Sequence, residues 1–425
     1  MRRSPAAIPF PAPLPLRAIL AGLLAGVALG APARAAEPTF AARVIDPHPG
    51  EICYAVTLAD VDGDDRQDIV VVTENAVLWY GNPAETAGEW KKHTVIRDQT
   101  PRDNVCIAPH DIDGDGKVDF AVGASWPKTG SVHWLRRGAS LDEPWKVHDL
   151  GPLHSTHRMR FADVLGSGKA QLVVSPLAAP EGKPGVALTA FSVPTDPVKE
   201  RWPATILDSS LNRMHNHAQA DVDADGRVDT LTASREGVHL IRHHASGISK
   251  ARLTTGIAGG TPDTSGSGEI KLGTLAGGRE FLVTVEPMHG TAVAVYHPTA
   301  DGPAAPWRRT VIDTGYVRGH ALATVDLDGD GGDEIVFGSS DQSAVEGHGP
   351  TVAVYRANAD GSRWTREVID AGGVTVEDLV AADLTGDGNP DIVAVGRATH
   401  NVKLYVNTLL PRGRTGQDPR PAGAR

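Results

Sequence analysis

The chain lacks most of the short motifs from which a function is usually read. Two cysteines in 425 residues, Cys53 and Cys106, allow at most one disulfide. No Gly-x-Ser-x-Gly elbow occurs in a strand-to-helix setting, and Gly266-Ser267-Gly268 is a poor substitute, which argues against a serine hydrolase. The Gly-rich stretches lack the Lys-Ser/Thr ending of a phosphate loop, so nucleotide chemistry is disfavoured. Basic residues are outnumbered, 41 Lys and Arg against 52 Asp and Glu, giving a net charge of −11. That balance speaks against a nucleic-acid partner.

Long apolar runs are also scarce. The one near the start, Ala18 to Gly30, is too short for a membrane span, and no other run approaches the required length. It follows the basic Met1-Arg2-Arg3 and precedes the small-residue site Ala33-Arg34-Ala35, and no Cys lies near that site for lipid attachment. This predicts a signal peptide over residues 1–35, cleaved after Ala35, and a mature protein in the periplasm or outside the cell. Cleavage would remove Arg2, Arg3, Arg17 and Arg34 but no acid, moving the net charge from −11 to −15. The last stretch, 411–425, mixes Pro, Gly and Arg without apolar periodicity and reads as a disordered tail.

What the chain does have is one acidic phrase, repeated. It reads Asp60-Val-Asp62-Gly-Asp64, Asp111-Ile-Asp113-Gly-Asp115, Asp221-Val-Asp223-Ala-Asp225, Asp326-Leu-Asp328-Gly-Asp330 and Asp383-Leu-Thr385-Gly-Asp387. A further acid stands at the ninth position of each copy (Asp68, Asp119, Asp229, Glu334, Asp391), followed by apolar residues such as Ile69-Val-Val-Val72. Each loop is therefore expected to feed a buried strand. Alternate carboxylates on a tight Gly-containing turn converge on one point, a cage suited to Ca²⁺. An EF-hand does not fit, because Val71 or Val122 stands where its bidentate Glu is needed and strands follow instead of helices.

Two degenerate copies, Asp163-Val-Leu-Gly-Ser-Gly168 and Gly273-Thr-Leu-Ala-Gly-Gly278, bring the units to seven. Their spacing of roughly 50 to 60 residues is that of propeller blades. A Trp-led strand late in most units keeps the same period, beginning at Trp90, Trp145, Trp202, Trp307 and Trp364. The last unit ends before its own copy, and the segment from Phe40 to Asp46 is the substitute. The expected fold is all-β: a seven-bladed propeller over residues 36–410 with four-stranded blades, calcium-binding turns and a ring closed by the N-terminal strand.

These phrases resemble the FG-GAP or VCBS repeat family, over nearly all of residues 37 to 410. The resemblance implies a seven-bladed β-propeller with structural calcium between the first and second strands of a blade. It fixes no single function, since such propellers serve adhesion receptors, lectin-like surface proteins and carbohydrate lyases.

Function is sought where the inner strands begin. Six residues before the first motif position, and four before it in the degenerate Gly273 copy, the units carry Tyr54, Val105, His157, His215, Glu269, His320 and Glu377. Three His and two Glu at one register predict a cluster at the axial mouth, and His48, His154, His289, His348 and His400 fall in segments assigned to the same face. Imidazoles suit a divalent transition metal such as Zn²⁺ or Mn²⁺, and three His with an open position describe a catalytic ion. The expected ligands are His157, His215 and His320 with Glu377 or Glu269. His217 or Tyr54 would act as base, and Arg158 or Arg318 would steady a developing enolate. Trp126, Arg213 and Tyr316 are the expected substrate-binding residues. A metal-and-histidine centre on such a propeller resembles the propeller domain of aldos-2-ulose dehydratase and, more loosely, propeller-type polysaccharide lyases. That resemblance implies a carbon–oxygen lyase acting by β-elimination on a keto-sugar, glycoside or uronide. The alternative is a non-catalytic glycan- or protein-binding propeller using the same face. For the two cysteines, a bridge and a pair of buried thiols both remain open.

Overall fold

The computed structural model describes residues 38–409 except 128, 142, 245–246 and 260–263. The leader with its cleavage site at Ala35 and the tail 411–425 lie outside the described residues. Among the described residues, strands form seven antiparallel sheets of four, with no α-helix.

Each sheet is a blade whose strands run outward in chain order. The inner strands of blades 1 to 7 are Cys53–Ala59, Cys106–His110, Thr156–Ala162, Asn216–Ala220, Ile270–Thr274, Gly319–Val325 and Val376–Ala382. Neighbouring inner strands contact one another in order, and that of blade 7 contacts that of blade 1, so the circle is continuous. Blade 7 takes its outer strand, Phe40–Asp46, from the start of the described chain, paired antiparallel to Val402–Asn407.

Burial explains the sequence pattern. The second strand of a blade, such as Asp68–Thr73 or Asp391–Gly396, is buried along its whole length because both faces meet a neighbouring blade. It therefore reads as an unbroken apolar run. Outer strands such as Trp364–Ala371 alternate and stay half exposed. The Trp that leads them packs back on the preceding blade: Trp90 joins Val393 and Leu404 of blade 7, and Trp145 joins Val72 and Val77 of blade 1. Polar bolts tie the same seams. Asp46 on the outer strand of blade 7 accepts hydrogen bonds from Tyr80 Oη and Lys92 Nζ of blade 1, both at 2.7 Å. Asp370 of blade 6 does the same for Tyr405 and Lys403 of blade 7.

The two cysteines are free and buried. Burial pushes both thiols up to about 12, so they pack as small apolar groups.

Candidate functional site

The inner strands have chemically opposite ends. They finish at the acidic turns. There the first Asp of a copy accepts backbone N–H groups further along its own loop: Asp60 takes those of Gly63 (2.7 Å), Asp64 (3.1 Å) and Asp65 (3.0 Å). The ninth-position acid clamps the turn to the strands. Asp68 accepts the N–H of Val61 and of Asn82, each at 2.8 Å, and Asp391 accepts those of Leu384 (3.0 Å) and Asn407 (2.9 Å). Carboxylate oxygens close enough to share one cation come from Asp60, Asp62 and Asp68, from Asp111, Asp113 and Asp115, from Asp221, Asp223 and Asp225, and from Asp326, Asp328 and Glu334. Asp64, Asp119, Asp229, Asp330, Asp383, Asp387 and Asp391, expected as ligands, fall outside these groups among the described residues. In blade 3 Gln171 replaces the ninth acid. Its amide oxygen takes the Leu165 N–H at 2.9 Å, and its amide nitrogen donates to Ser167 Oγ at 2.9 Å. An amide donor thus stands among the oxygens that a cation would otherwise bridge.

At the other end the expected register residues do come together. They form a closed layer, however, and not an open mouth: Tyr54, Val105, His157, His215, Glu269, His320 and Glu377 are all at most 4% exposed. Partly exposed Trp126, His289, Arg318 and Arg397 lie at the same end.

Backbone pairing between blades orients the imidazoles. His157 Nδ1–H donates to the carbonyl of His215 at 2.9 Å, and His320 Nδ1–H donates to the carbonyl of Glu377 at 2.5 Å. In both cases the acceptor is the residue at the same register in the next blade. His215 repeats the relation with a side chain, its Nδ1 lying 2.9 Å from Glu269 Oε1, close but poorly aligned for a hydrogen bond. A donating Nδ1 leaves Nε2 with its lone pair, as a metal ligand requires.

The Nε2 of His215 lies 2.9 Å from Nε2 of His289, and the His320 ring is stacked on that of His289 with centroids 4.8 Å apart. Ligand atoms of His215, His289 and His320 all lie within 4.8 Å of one another. The converging set is therefore His215, His289 and His320. The expected ligand His157 is displaced from it, because Arg158 donates to its Nε2 at 3.2 Å. His289 belongs to the turn between the second and third strands of blade 5; the sequence puts it on this face and no further. Burial lowers all four imidazoles, His289 to about 2 and His320 to about 3, with Arg158 and Arg318 adding to the effect, so they are neutral at pH 7. Two facing Nε2 atoms need one proton or one cation between them, and neutral imidazoles in this number fit a divalent transition metal.

The expected acids are supports. Glu269 pairs with His215 and Arg158 and accepts from Asn216 Nδ2. Glu377 takes Arg397 at 2.8 Å and Arg318 at 3.4 Å, its Oε1 lying 3.7 Å from His320 Nε2. Tyr54 lies under Arg397, 5.3 Å from ring to guanidinium, and edge-on to Trp126. Burial pushes its phenol up to about 12, so it is a proton donor at neutral pH and not the expected base. His217 is fully buried one layer deeper, its Nδ1 2.9 Å from Ser175 Oγ.

Two expected substrate contacts lie elsewhere. Tyr316 is 1% exposed, its hydroxyl bonded to Tyr355 Oη (2.7 Å) and Asp313, and it offers no open ring face to a sugar. Arg213 lines a surface depression of about 260 Å³ with Lys183, Asn212 and Arg235, away from the three imidazoles.

Fold and repeats together define a seven-bladed β-propeller carrying FG-GAP-like repeats, the model for which matches residues 60–122 and 326–394. Residues 129–299 match the family model for the β-propeller domain of aldos-2-ulose dehydratase, a stretch that contains His157, His215, Glu269 and His289. No curated protein matches the chain. Among solved structures, BBS1N in complex with ARL6DN is 12% identical, with a TM-score of 0.52, over 88% of this chain and 99% of that one. An Agrocybe aegerita lectin specific for non-reducing terminal N-acetylglucosamine is 14% identical, with a TM-score of 0.48, over 85% and 86%. The Dos1 propeller is 10% identical, with a TM-score of 0.49, over 80% and 75%. At these identities the likeness concerns the fold. No helix among the described residues is long and apolar enough to cross a membrane.

Proposed function

We propose that this propeller is an exported, metal-dependent carbohydrate lyase or dehydratase, working by β-elimination at the imidazole end of its axis. The observation that carries the reading is the convergence of His215, His289 and His320, three neutral imidazoles of which His215 and His320 are buried and His289 is partly exposed. The match of residues 129–299 to a sugar dehydratase domain supports carbohydrate as the substrate class. A Zn²⁺ or Mn²⁺ ion held there would polarise a carbonyl oxygen and acidify the neighbouring C–H.

The chain's own groups divide the remaining work. Glu269 and the Glu377 carbonyl keep the protons of His215 and His320 on Nδ1. Arg158 and Arg318 put positive charge beside the cluster, where enolate charge develops. Tyr54, a neutral phenol, would donate its proton to the departing oxygen and regain one from solvent, which takes up the C–H proton. Trp126 offers a half-exposed ring near His157 and Tyr54, at 6.4 and 6.3 Å between centroids. The acidic turns of blades 1, 2, 4 and 6 are the proposed structural calcium sites.

Elemental analysis of the purified protein tests this, wild type beside a His215→Ala, His289→Ala, His320→Ala variant. About one transition-metal ion per chain that disappears in the variant, with calcium retained in both, is the expected result. Screening of keto-sugars and uronides for a new conjugated-carbonyl absorbance would follow. Calcium alone in both proteins would replace this reading with a glycan- or protein-binding propeller.

A further inference from the structure

A second polar feature stands at the imidazole end, at the seam between blades 3 and 4 and to one side of the axis. It is the depression of about 260 Å³ lined by Lys183, Asn212, Arg213 and Arg235, its wall completed by the small apolar stretch from Ala178 to Pro180. Three segments build it: the turn between the second and third strands of blade 3, the link that enters the inner strand of blade 4, and the turn between the second and third strands of blade 4. Hydrogen bonds tie the three together. Asn212 donates its side-chain amide to the Pro184 carbonyl at 2.7 Å and its N–H to Glu236 Oε2 at 2.8 Å, and its carbonyl accepts the Arg235 N–H at 3.0 Å. Gly185 lets the first segment come this close, since a Cβ there would meet the carbonyl oxygens of Ser209 and Leu211 at 2.6 and 2.7 Å. The side chains of Lys183 and Arg235 take no part in these bonds.

Charge in the depression has one sign. Acids outnumber bases over the whole chain, 52 to 41, yet among the described residues the lining carries three cations and no acid. Two carboxylates border it. Glu181 is exposed in the turn that carries Lys183, and Glu236 gives one oxygen to the Asn212 N–H while the other lies 3.8 Å from Arg235 Nε, too long for a hydrogen bond. An excess of positive charge remains. Like charges gathered around one small concavity repel one another, and an anion between them turns that repulsion into attraction.

We propose that this depression is a binding subsite for the carboxylate-bearing residue of an acidic saccharide, a uronate, with Lys183, Arg213 and Arg235 around the carboxylate. Guanidinium and ammonium groups together suit a carboxylate. The volume falls just below that of drug-sized pockets, roughly 300 to 1,000 Å³, and takes one small ring. The stretch from Ala178 to Pro180 supplies apolar surface that the C–H face of a sugar covers and a bare inorganic ion does not. That the ligand is an anion rests on the depression alone, and that a sugar carries the charge rests on the carbohydrate reading above. The subsite does not depend on a metal at the axis.

The test is calorimetric titration of the full chain with sodium galacturonate, without added transition metal, beside galactose, sodium sulfate, and sodium chloride at matched ionic strength. Saturable binding of galacturonate, tighter than that of galactose or sulfate, is the expected result. Its affinity should fall about tenfold or more in Lys183→Met and in Arg235→Gln, and stay unchanged in the His215→Ala, His289→Ala, His320→Ala variant. Lys183 is exposed, so its replacement leaves the fold intact. Arg213→Gly is a third probe that spares the backbone, because glycine readily adopts the φ of 48° found there. Binding kept in Lys183→Met and lost in the triple histidine variant would put the sugar acid at the axis, overturning the subsite and leaving the axial reading intact. Sulfate or galactose binding as tightly as galacturonate, or heats that chloride reproduces, would also overturn it.

Discussion

The two ends of the inner strands solve opposite problems with the same seven-fold repetition. At the acidic end the loop carboxylates of a blade serve that blade, Asp60 taking the N–H groups of its own loop and Asp68 those of its own blade. At the imidazole end the partner of each group comes from the next blade: His157 reaches the register residue of blade 4, His215 that of blade 5 and His320 that of blade 7. Local satisfaction yields parts that stiffen a blade independently. Satisfaction across seams yields a single centre that exists only when the circle is assembled. Stability should therefore be distributed over the acidic end and chemistry concentrated at the other.

The largest expected effect sharpens that division. Removing calcium should destabilise the fold by several kcal/mol, since each site contributes about 2.7 kcal/mol at 100-fold saturation. The triple histidine variant, in calcium, should lose far less. Calorimetry of the two side by side checks this, and a greater loss in the histidine variant would break the comparison. The metal-free protein should also become less stable as pH rises. Burial raises Asp119 to about 6, Asp68, Asp229 and Asp391 to about 7 and Glu334 to about 8. A carboxyl whose pKa is raised in the fold holds its proton more tightly there than when unfolded. Its contribution is complete below the unfolded value near 4, declines progressively above it and is gone once pH has passed the folded values of about 6 to 8. Thermal midpoints in chelator should fall from pH 5 to pH 8, and added calcium should flatten that slope.

Next in size, Asp68→Ala should cost about 3 kcal/mol even without calcium, because it leaves two buried N–H groups without their charged acceptor. Asp62→Ala, whose oxygen accepts one exposed-loop N–H at 3.2 Å, should matter chiefly when calcium is present. Urea titration with and without chelator separates them. Glu269→Gln should weaken transition-metal binding about 10- to 100-fold while leaving the melting temperature nearly unchanged, read by competition with a chromophoric chelator. The smallest effect is expected in blade 3. Gln171→Ala should leave calcium stoichiometry unchanged and cost about 1 kcal/mol, since the amide already does the bonding that a cation would do.

Reading a site from register worked to the extent that the backbone alone decides it. Because the repeat fixes where each inner strand begins, His157, His215, Glu269, His320 and Glu377 were expected together, and neighbours in that series do meet, His157 with His215, His215 with Glu269 and His320 with Glu377. It failed where a side chain's neighbours decide. His289 sits in the turn between second and third strands, whose length changes from blade to blade, so no period marks it, yet its ring completes the cluster that His157, tied up by Arg158, does not. Tyr316 has the composition of a sugar platform and is consumed by Tyr355 and Asp313.

The sequence by itself determined the number of blades, the strand that completes the last one, and which end of the axis is acidic and which imidazole-rich. Periodicity and turn chemistry are local properties, and they survive without any knowledge of packing. Only the tertiary structure decided that the register residues at the imidazole end are buried, and that Cys53 and Cys106 stay apart as thiols. Those outcomes depend on which side chains of different blades meet across a seam, and residues some fifty positions apart leave no trace of that meeting in their order along the chain.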